Sequence, residues 1–183
     1  MATLKDKTII ITGAAMGLGL ATAKELAEKG ANLTLVDYNE KSLAEAKEEI
    51  TRQFPGIKLI TVVADVSNED SVKNYVEETV KTFGRIDGLY NNAGIEGKQA
   101  SMTEYDLNIF KKVIDIKLMG VYYGLRYVLP VMQKQNYGRI VNVASVGGIR
   151  GVLNQSPYVA TKHAVSGMTK NAALEYGQYG ITT

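Results

Sequence analysis

The stretch Thr8-Ile9-Ile10-Ile11-Thr12-Gly13-Ala14-Ala15-Met16-Gly17-Leu18-Gly19 decides the fold. Its β-branched head is unbroken, as expected of a strand covered on both faces. Gly13 to Gly19 reads as a loop. Residues 18–29 read as a helix, with Leu20, Ala23 and Ala27 on one face and Lys24, Glu25 and Glu28 outside. Gly30 ends it.

The same alternation continues outward. Residues 33–36 form a second apolar run that ends at Asp37. Asn39 is placed to cap a helix through Leu43, Ala46 and Ile50, which stops before Pro55. Residues 59–63 are a third strand. Ser67 and Asp70 resemble a capping box opening a helix through Val72, Val76 and Val80. Leu89-Tyr90 is the core of a fourth strand. Residues 105–135 are helical with a break near Gly120, residues 139–144 are a fifth strand, and residues 158–178 are the last helix. Strands and helices in this order predict an α/β fold: a doubly wound parallel sheet (Rossmann fold) with right-handed crossovers.

The chain has 183 residues, 45% hydrophobic and 22% charged. That composition excludes collagen-like, low-complexity and strongly disordered classes. Lys+Arg 21 against Asp+Glu 19 leaves a net charge of +2. No broad positive field exists to hold a nucleic acid. Cysteine is absent, which removes disulfides, thiolate metal sites and a catalytic thiol. A cytoplasmic location is expected. Residues 1–12 have no signal-peptide layout, and Ile9-Ile10-Ile11 is too short to span a bilayer, so no membrane partner is expected. One domain over residues 1–183 is expected, and it looks C-terminally truncated. The pattern asks for a sixth strand just where Gly180-Ile181-Thr182-Thr183 ends. Without it, residues 140–143 would lie at a bare edge. A strand–helix–strand unit of roughly 30 residues or more would complete the pattern.

The glycine loop favours a dinucleotide. Gly13, Met16, Gly17, Leu18 and Gly19 bring backbone N–H groups and a helix N-terminus toward a pyrophosphate. A plain tight turn is the rival reading, since a lone glycine pattern is weak. Asp37 lies 18 residues after Gly19, near the spacing of a ribose-binding acid. No Lys or Arg stands among Ala14, Ala15, Met16, Tyr38 and Asn39 to hold a 2′-phosphate, so NAD is expected over NADP. Asp65, with Val66, ends the third strand; its carboxylate either meets an adenine amino group or caps locally before Ser67. Asn92-Ala93-Gly94 ends the fourth strand, at the edge where open sheets bind ligands.

Tyr158 and Lys162 lie four apart, on one helix face. With 11 Tyr and 16 Lys, chance alone supplies about one such pair, so the spacing by itself says little. Position gives it weight. Ser145 ends the fifth strand at the same carboxyl edge as Gly13, Asp37 and Asn92. A free tyrosine has a pKa of about 10, and an adjacent ammonium stabilises the phenolate. Tyr158 could then exchange a proton with a substrate oxygen while NAD(H) exchanges the hydride. The bland alternatives are a packed aromatic and a solvated lysine.

Together these residues resemble the short-chain dehydrogenase/reductase family over essentially the whole chain. The resemblance rests on Thr12-Gly13-x-x-x-Gly17-x-Gly19, Asp37, Asp65-Val66, Asn92-Ala93-Gly94, Ser145 and Tyr158-x-x-x-Lys162. It implies NAD(P)-linked oxidation of an alcohol or reduction of a ketone, in a homotetramer or homodimer. It implies that Ser145 positions the carbonyl, that Tyr158 is the acid/base, and that Lys162 also holds the nicotinamide ribose. The stretch from Ala144 to Gly151 looks most like members acting on cyclic ketones or secondary alcohols. One departure stands out: where the family usually places an Asn holding a relay water, this chain has Lys117, so an altered relay is expected. His163 is solitary and reads as a surface or packing residue, so no metal is expected. Asp115 and Glu96 read as capping or solvated carboxylates. Tyr122, Tyr123 and Tyr127 read as core or interface residues. A non-catalytic NAD-binding sensor or scaffold is the rival function. An S-adenosylmethionine methyltransferase would leave Ser145, Tyr158 and Lys162 unexplained.

Overall fold

Ile10 and Ile11 are fully buried on opposite faces of one strand, and that alternation divides the interior into two cores. The structure is a computed structural model that describes residues 3–183. Met1 and Ala2, the head of the stretch inspected for a leader and of the expected 1–183 domain, lie outside the described residues. Six strands form one parallel sheet: β1 (Thr8–Thr12), β2 (Asn32–Asp37), β3 (Leu59–Val63), β4 (Gly88–Asn91), β5 (Gly138–Asn142) and β6 (Ile181–Thr182). Their order is β3-β2-β1-β4-β5-β6. The direction of winding reverses between β1 and β4, where Ile11 faces Leu35 on one side and Tyr90 on the other.

Helices α1 (Gly17–Glu28) and α2 (Glu40–Gln53) cover one face, placing Ala23, Ala27, Leu43 and Ile50 against Ile11, Leu33 and Leu35. On the other face, α3 (Glu69–Phe83), α5 (Gly120–Gln135) and α6 (Ser156–Tyr176) bring Val72, Tyr75, Leu125, Met132 and Val165 against Ile10, Leu89 and Ile140. Helix α4 (Leu107–Ile114) precedes α5. Among the described residues, no helix is long and apolar enough to cross a membrane.

The structure corrects three local expectations. The cap of α3 is Asn68, whose side chain accepts from the Ser71 N–H at 2.9 Å. Ser67 is taken up instead by Asp65, which accepts from its N–H at 2.9 Å and its hydroxyl at 2.7 Å. The expected break near Gly120 is a π-helical turn over Asp115–Met119, and the backbone runs through it from α4 into α5. The edge of β5 is partly covered, because Ile181 pairs with Gly138 and Thr182 with Arg139. Ile181 is fully buried there. Val141, beyond that pairing, is 55% exposed.

Asp87, at the entry to β4, ties three segments together. It is 3% exposed. It accepts from the Thr8 N–H at 3.0 Å, Lys7 Nζ at 3.3 Å, and Arg85 Nε and Nη2 at 2.7 and 2.6 Å. Burial works against its charge, but the Arg85 guanidinium, the Thr8 N–H and Lys7 outweigh it and hold the carboxyl below the usual range. Because the folded-state value is the lower one, this stabilisation is complete above the unfolded carboxylate pKa. It is lost as the pH falls through the folded value. Asp87→Asn is therefore expected to cost about 2–3 kcal/mol near neutrality, less than breaking a fully buried pair, because both cations reach solvent. Urea melts of both proteins should show that gap closing in acid.

Candidate active site

The site starts from the carboxyl ends of β1 and β4. Gly13 has φ +66° and Gly17 φ +55°, values that side chains rarely tolerate. A Cβ on Gly13 would fall 2.9 Å from Asn92 Nδ2 and 3.0 Å from Ala93 Cα. One on Gly19 would overlap the Gly13 carbonyl oxygen. The space in front of Gly17 is open. No side chain caps α1 and no acid stands in its first turn, so the leading N–H groups face that space without a partner from the helix.

The neighbouring strand ends hold this loop. Thr12 Oγ1 accepts from the N–H groups of Asn92 and Ala93 at 3.0 and 3.1 Å. Asn92 Nδ2 donates back to the carbonyls of Thr12 and Gly13 at 3.1 and 3.3 Å. Asp37, at the end of β2, accepts from Ala15 N–H and Asn39 N–H, each at 3.1 Å. Each carboxylate oxygen keeps a second lone pair. Beyond it, Asp65 closes its turn around Ser67, and Val66 packs where Gly120 has no side chain. Met16, Leu18 and Tyr38 are exposed around the loop.

The candidate reactive residues come from α6, the loop after β5 and the π-helical turn. Pro157 sits in the first turn of α6, which begins two residues earlier than expected. Tyr158 and Lys162 share its inner face. Lys162 is buried and donates to the carbonyl of Val143, the residue after β5. Ser145 Oγ accepts from the Gly147 N–H at 3.2 Å, opening a short 3₁₀ turn over Val146–Gly148. Gly147 lies against the Tyr158 ring: a Cβ there would be 3.1 Å from Tyr158 Cε1. Gly147 thus links Ser145 to the tyrosine. The sequence assigns no role to Val143 or Gly147, and it places Thr12 only as the head of the glycine motif; the Gly147-Gly148 pair beside Ser145 is the one signal for Gly147.

Lys117 enters from the π-helical turn. The widened turn is the kind of irregularity that recurs at functional positions. Its Nζ stands 4.7 Å from the Tyr158 ring centre, and that of Lys162 stands 5.9 Å away. Gly94 leaves room for it, since a Cβ there would be 2.8 Å from Lys117 Nζ. Lys117 and Lys162 are the two buried lysines among the described residues. Burial, and then the Lys117 ammonium, push Lys162 down to about 8. Burial also lowers Lys117, with Glu96 partly offsetting it.

Other candidates lie outside this cluster. His163 is exposed, with Nδ1 3.0 Å from the Val159 carbonyl oxygen. No group of three or more His, Asp or Glu side chains among the described residues is arranged to hold a metal ion. Tyr123 and Tyr127 pack on the α5 core, while Tyr122 is 41% exposed. A concavity of about 920 Å³ beside β3, lined by Leu43, Lys47, Arg52, Thr61 and Val63 among others, contains none of the site residues.

A family model described as short chain dehydrogenase matches residues 7–183. Levodione reductase of Leifsonia aquatica is 51% identical over 176 residues, covering 96% of this chain and 66% of that protein. Cyclohexanol dehydrogenase of Acinetobacter sp. (strain SE19) is 39% identical over 176 residues, covering 96% and 69%. The crystal structure of an NAD⁺-bound xylitol dehydrogenase superposes with a TM-score of 0.94 at 38% identity, covering 97% of this chain and 68% of that one. The chain spans about two thirds of the length of these relatives.

Proposed function

Because the chain belongs to the short-chain dehydrogenase family, we propose that it transfers a hydride between NAD(H) and a secondary alcohol or ketone, with Tyr158 as acid/base. The observation that carries this reading is the Tyr158 ring with the ammonium groups of two buried lysines 4.7 and 5.9 Å from its centre, beside the Ser145 turn. NAD, when bound, supplies the hydride acceptor. The chain's own residues do the rest. Ser145 orients the substrate oxygen. Tyr158 takes the hydroxyl proton during oxidation and returns it during reduction. Lys162, fixed by the Val143 carbonyl, stabilises the phenolate and holds the nicotinamide ribose. Lys117 replaces the usual relay group with a charge.

The residues present fit the dinucleotide. Gly13, Met16, Gly17, Leu18 and Gly19 form a cradle that a Cβ at Gly17 would begin to fill. Asp37 has lone pairs left for ribose hydroxyls, Asp65 and Val66 would meet the adenine, and Asn92, Ala93 and Gly94 would line the site beneath the dinucleotide. The names of the relatives, two of them dehydrogenases and one a reductase, support the same redox class. A homotetramer or homodimer in the cytoplasm is the setting proposed, by likeness to the family.

The direct test is NAD reduction with a panel of cyclic and acyclic secondary alcohols. Turnover supports the proposal; NAD binding with no turnover across the panel would favour a sensor. Cofactor choice is a separate prediction. The Asp37 carboxylate repels a 2′-phosphate, so NADP is expected to bind at least about tenfold more weakly than NAD. Asp37→Asn should narrow that ratio. Equal affinities in a fluorescence titration of the parent protein would overturn it.

A further inference from the structure

Buried charges are ordinarily paired, because leaving water without a partner is costly. Lys117 departs from that rule in part: its side chain is buried, its Nζ keeps a narrow contact with solvent, and no protein group among the described residues neutralises it. It is 8% exposed, yet its ammonium has no acceptor at hydrogen-bond or ion-pair distance among the described residues. Lys162, the other cation at the tyrosine, has only the Val143 carbonyl among the described residues. The charged and titratable groups around Lys117 are Tyr158 and Lys162 on α6 and Glu96 on the loop after β4. Glu96 acts on it through the field and forms no ion pair. An oxidised nicotinamide ring would add positive charge, and its ribose hydroxyls would serve Lys162 rather than Lys117. The site therefore holds an excess of buried positive charge beside the group that meets the substrate. Gly94 and the π-helical turn provide the room and the backbone path that put it there.

We propose that the site takes a substrate carrying a carboxylate close to its reacting alcohol or ketone carbon, with Lys117 as the carboxylate's partner. This rests on the redox reading above and narrows its substrate class to hydroxy and keto acids. The carboxylate supplies the missing counter-charge for Lys117 and lessens the repulsion between the two ammonium groups. A neutral alcohol would leave that repulsion in place. Preference for the acid fades on the alkaline side, where Lys162 and Lys117 lose their protons earlier than an exposed lysine does.

Calorimetry on the NAD-loaded full chain tests this with butyrate and butyramide, which match in shape and differ in charge. Neither carries a hydroxyl or ketone, so binding is read apart from hydride transfer. Butyrate is expected to bind at least about tenfold tighter than butyramide. Lys117→Met and Lys117→Gln should each erase the preference, and Lys117→Arg should retain it. Should Lys117→Met fail to fold, Lys117→Gln gives the same reading with a polar side chain. Equal affinities in the parent protein would overturn the proposal, as would a preference that survives either neutral substitution. The redox reading stands or falls separately, on turnover of an alcohol panel that includes 2- and 3-hydroxy acids beside the neutral alcohols.

Discussion

Tyr158→Phe is expected to lower kcat by about 10²–10⁴-fold, the range that a positioned acid/base commonly contributes, while NAD still binds. The substitution removes one oxygen and leaves the ring. That ring packs on Gly147 and lies within reach of both Lys117 and Lys162. The packing of α6 on the Ser145 turn should therefore survive. What disappears, on the proposed mechanism, is the hydroxyl that passes a proton to the substrate oxygen while two cations steady its charged form. Ser145 is engaged with Gly147 and carries no charge. Steady-state rates with any alcohol that the parent protein oxidises, paired with NAD quenching titrations, check both halves. Full activity in the variant would remove Tyr158 from the mechanism. Loss of NAD binding along with activity would show that its hydroxyl supports the cofactor as well.

Gly19→Ala carries the second large effect. The added methyl would overlap the Gly13 carbonyl oxygen and approach Asn92 Nδ2 to 3.0 Å. The oxygen is backbone, and Asn92 is fixed by its bonds to Thr12 and Gly13. Neither can step aside, so α1 must move from the loop. Overpacking of this kind costs about 1–3 kcal/mol. The same displacement spoils the alignment of the leading N–H groups, and NAD affinity should fall at least about tenfold, equivalent to about 1.4 kcal/mol. Gly167→Ala is the control, since a Cβ there meets open space on α6. It should hold or raise stability and leave NAD binding unchanged. Urea melts and NAD titrations of the three proteins decide the matter. A Gly19→Ala protein as stable and as competent as the control would refute the packing argument.

What could be read in advance depended on where the information sits. The sheet and its helices were legible because runs such as 8–11 and 33–36 are apolar throughout, and because Ala23, Ala27, Leu43 and Ile50 repeat at helical spacing. The glycine loop was legible because its position between strand and helix is itself a signal. Tyr158 and Lys162 were placed on one face by spacing alone. The acceptor that fixes Lys162 was not legible, since a backbone carbonyl at Val143 looks like any other. Asn68 displaced Ser67 as a cap because Asp65, two residues upstream, competes for the serine. Gly120 signalled a break in the long helix, but nothing in the sequence showed that it takes the form of a π-helical turn over Asp115–Met119. Yet that turn brings Lys117 to the tyrosine, and the orientation of the lysine follows from it.

The seam between β1 and β4 has a consequence in time as well as in space. Thr12 and Asn92 are 80 positions apart in the chain. Strand β1, the glycine loop and α1 are local, and they can assemble early. The clamp on that loop is not local: Asn92 must arrive with β4, after α2, β3 and α3 have been threaded between. Pairings that close such long loops bear their entropy cost before any contact rewards it, and they slow folding. The loop therefore acquires its binding shape only when the two halves of the sheet join. Cofactor capture marks the end of folding on this account, and a chain caught midway has the glycines in sequence without the cradle they form.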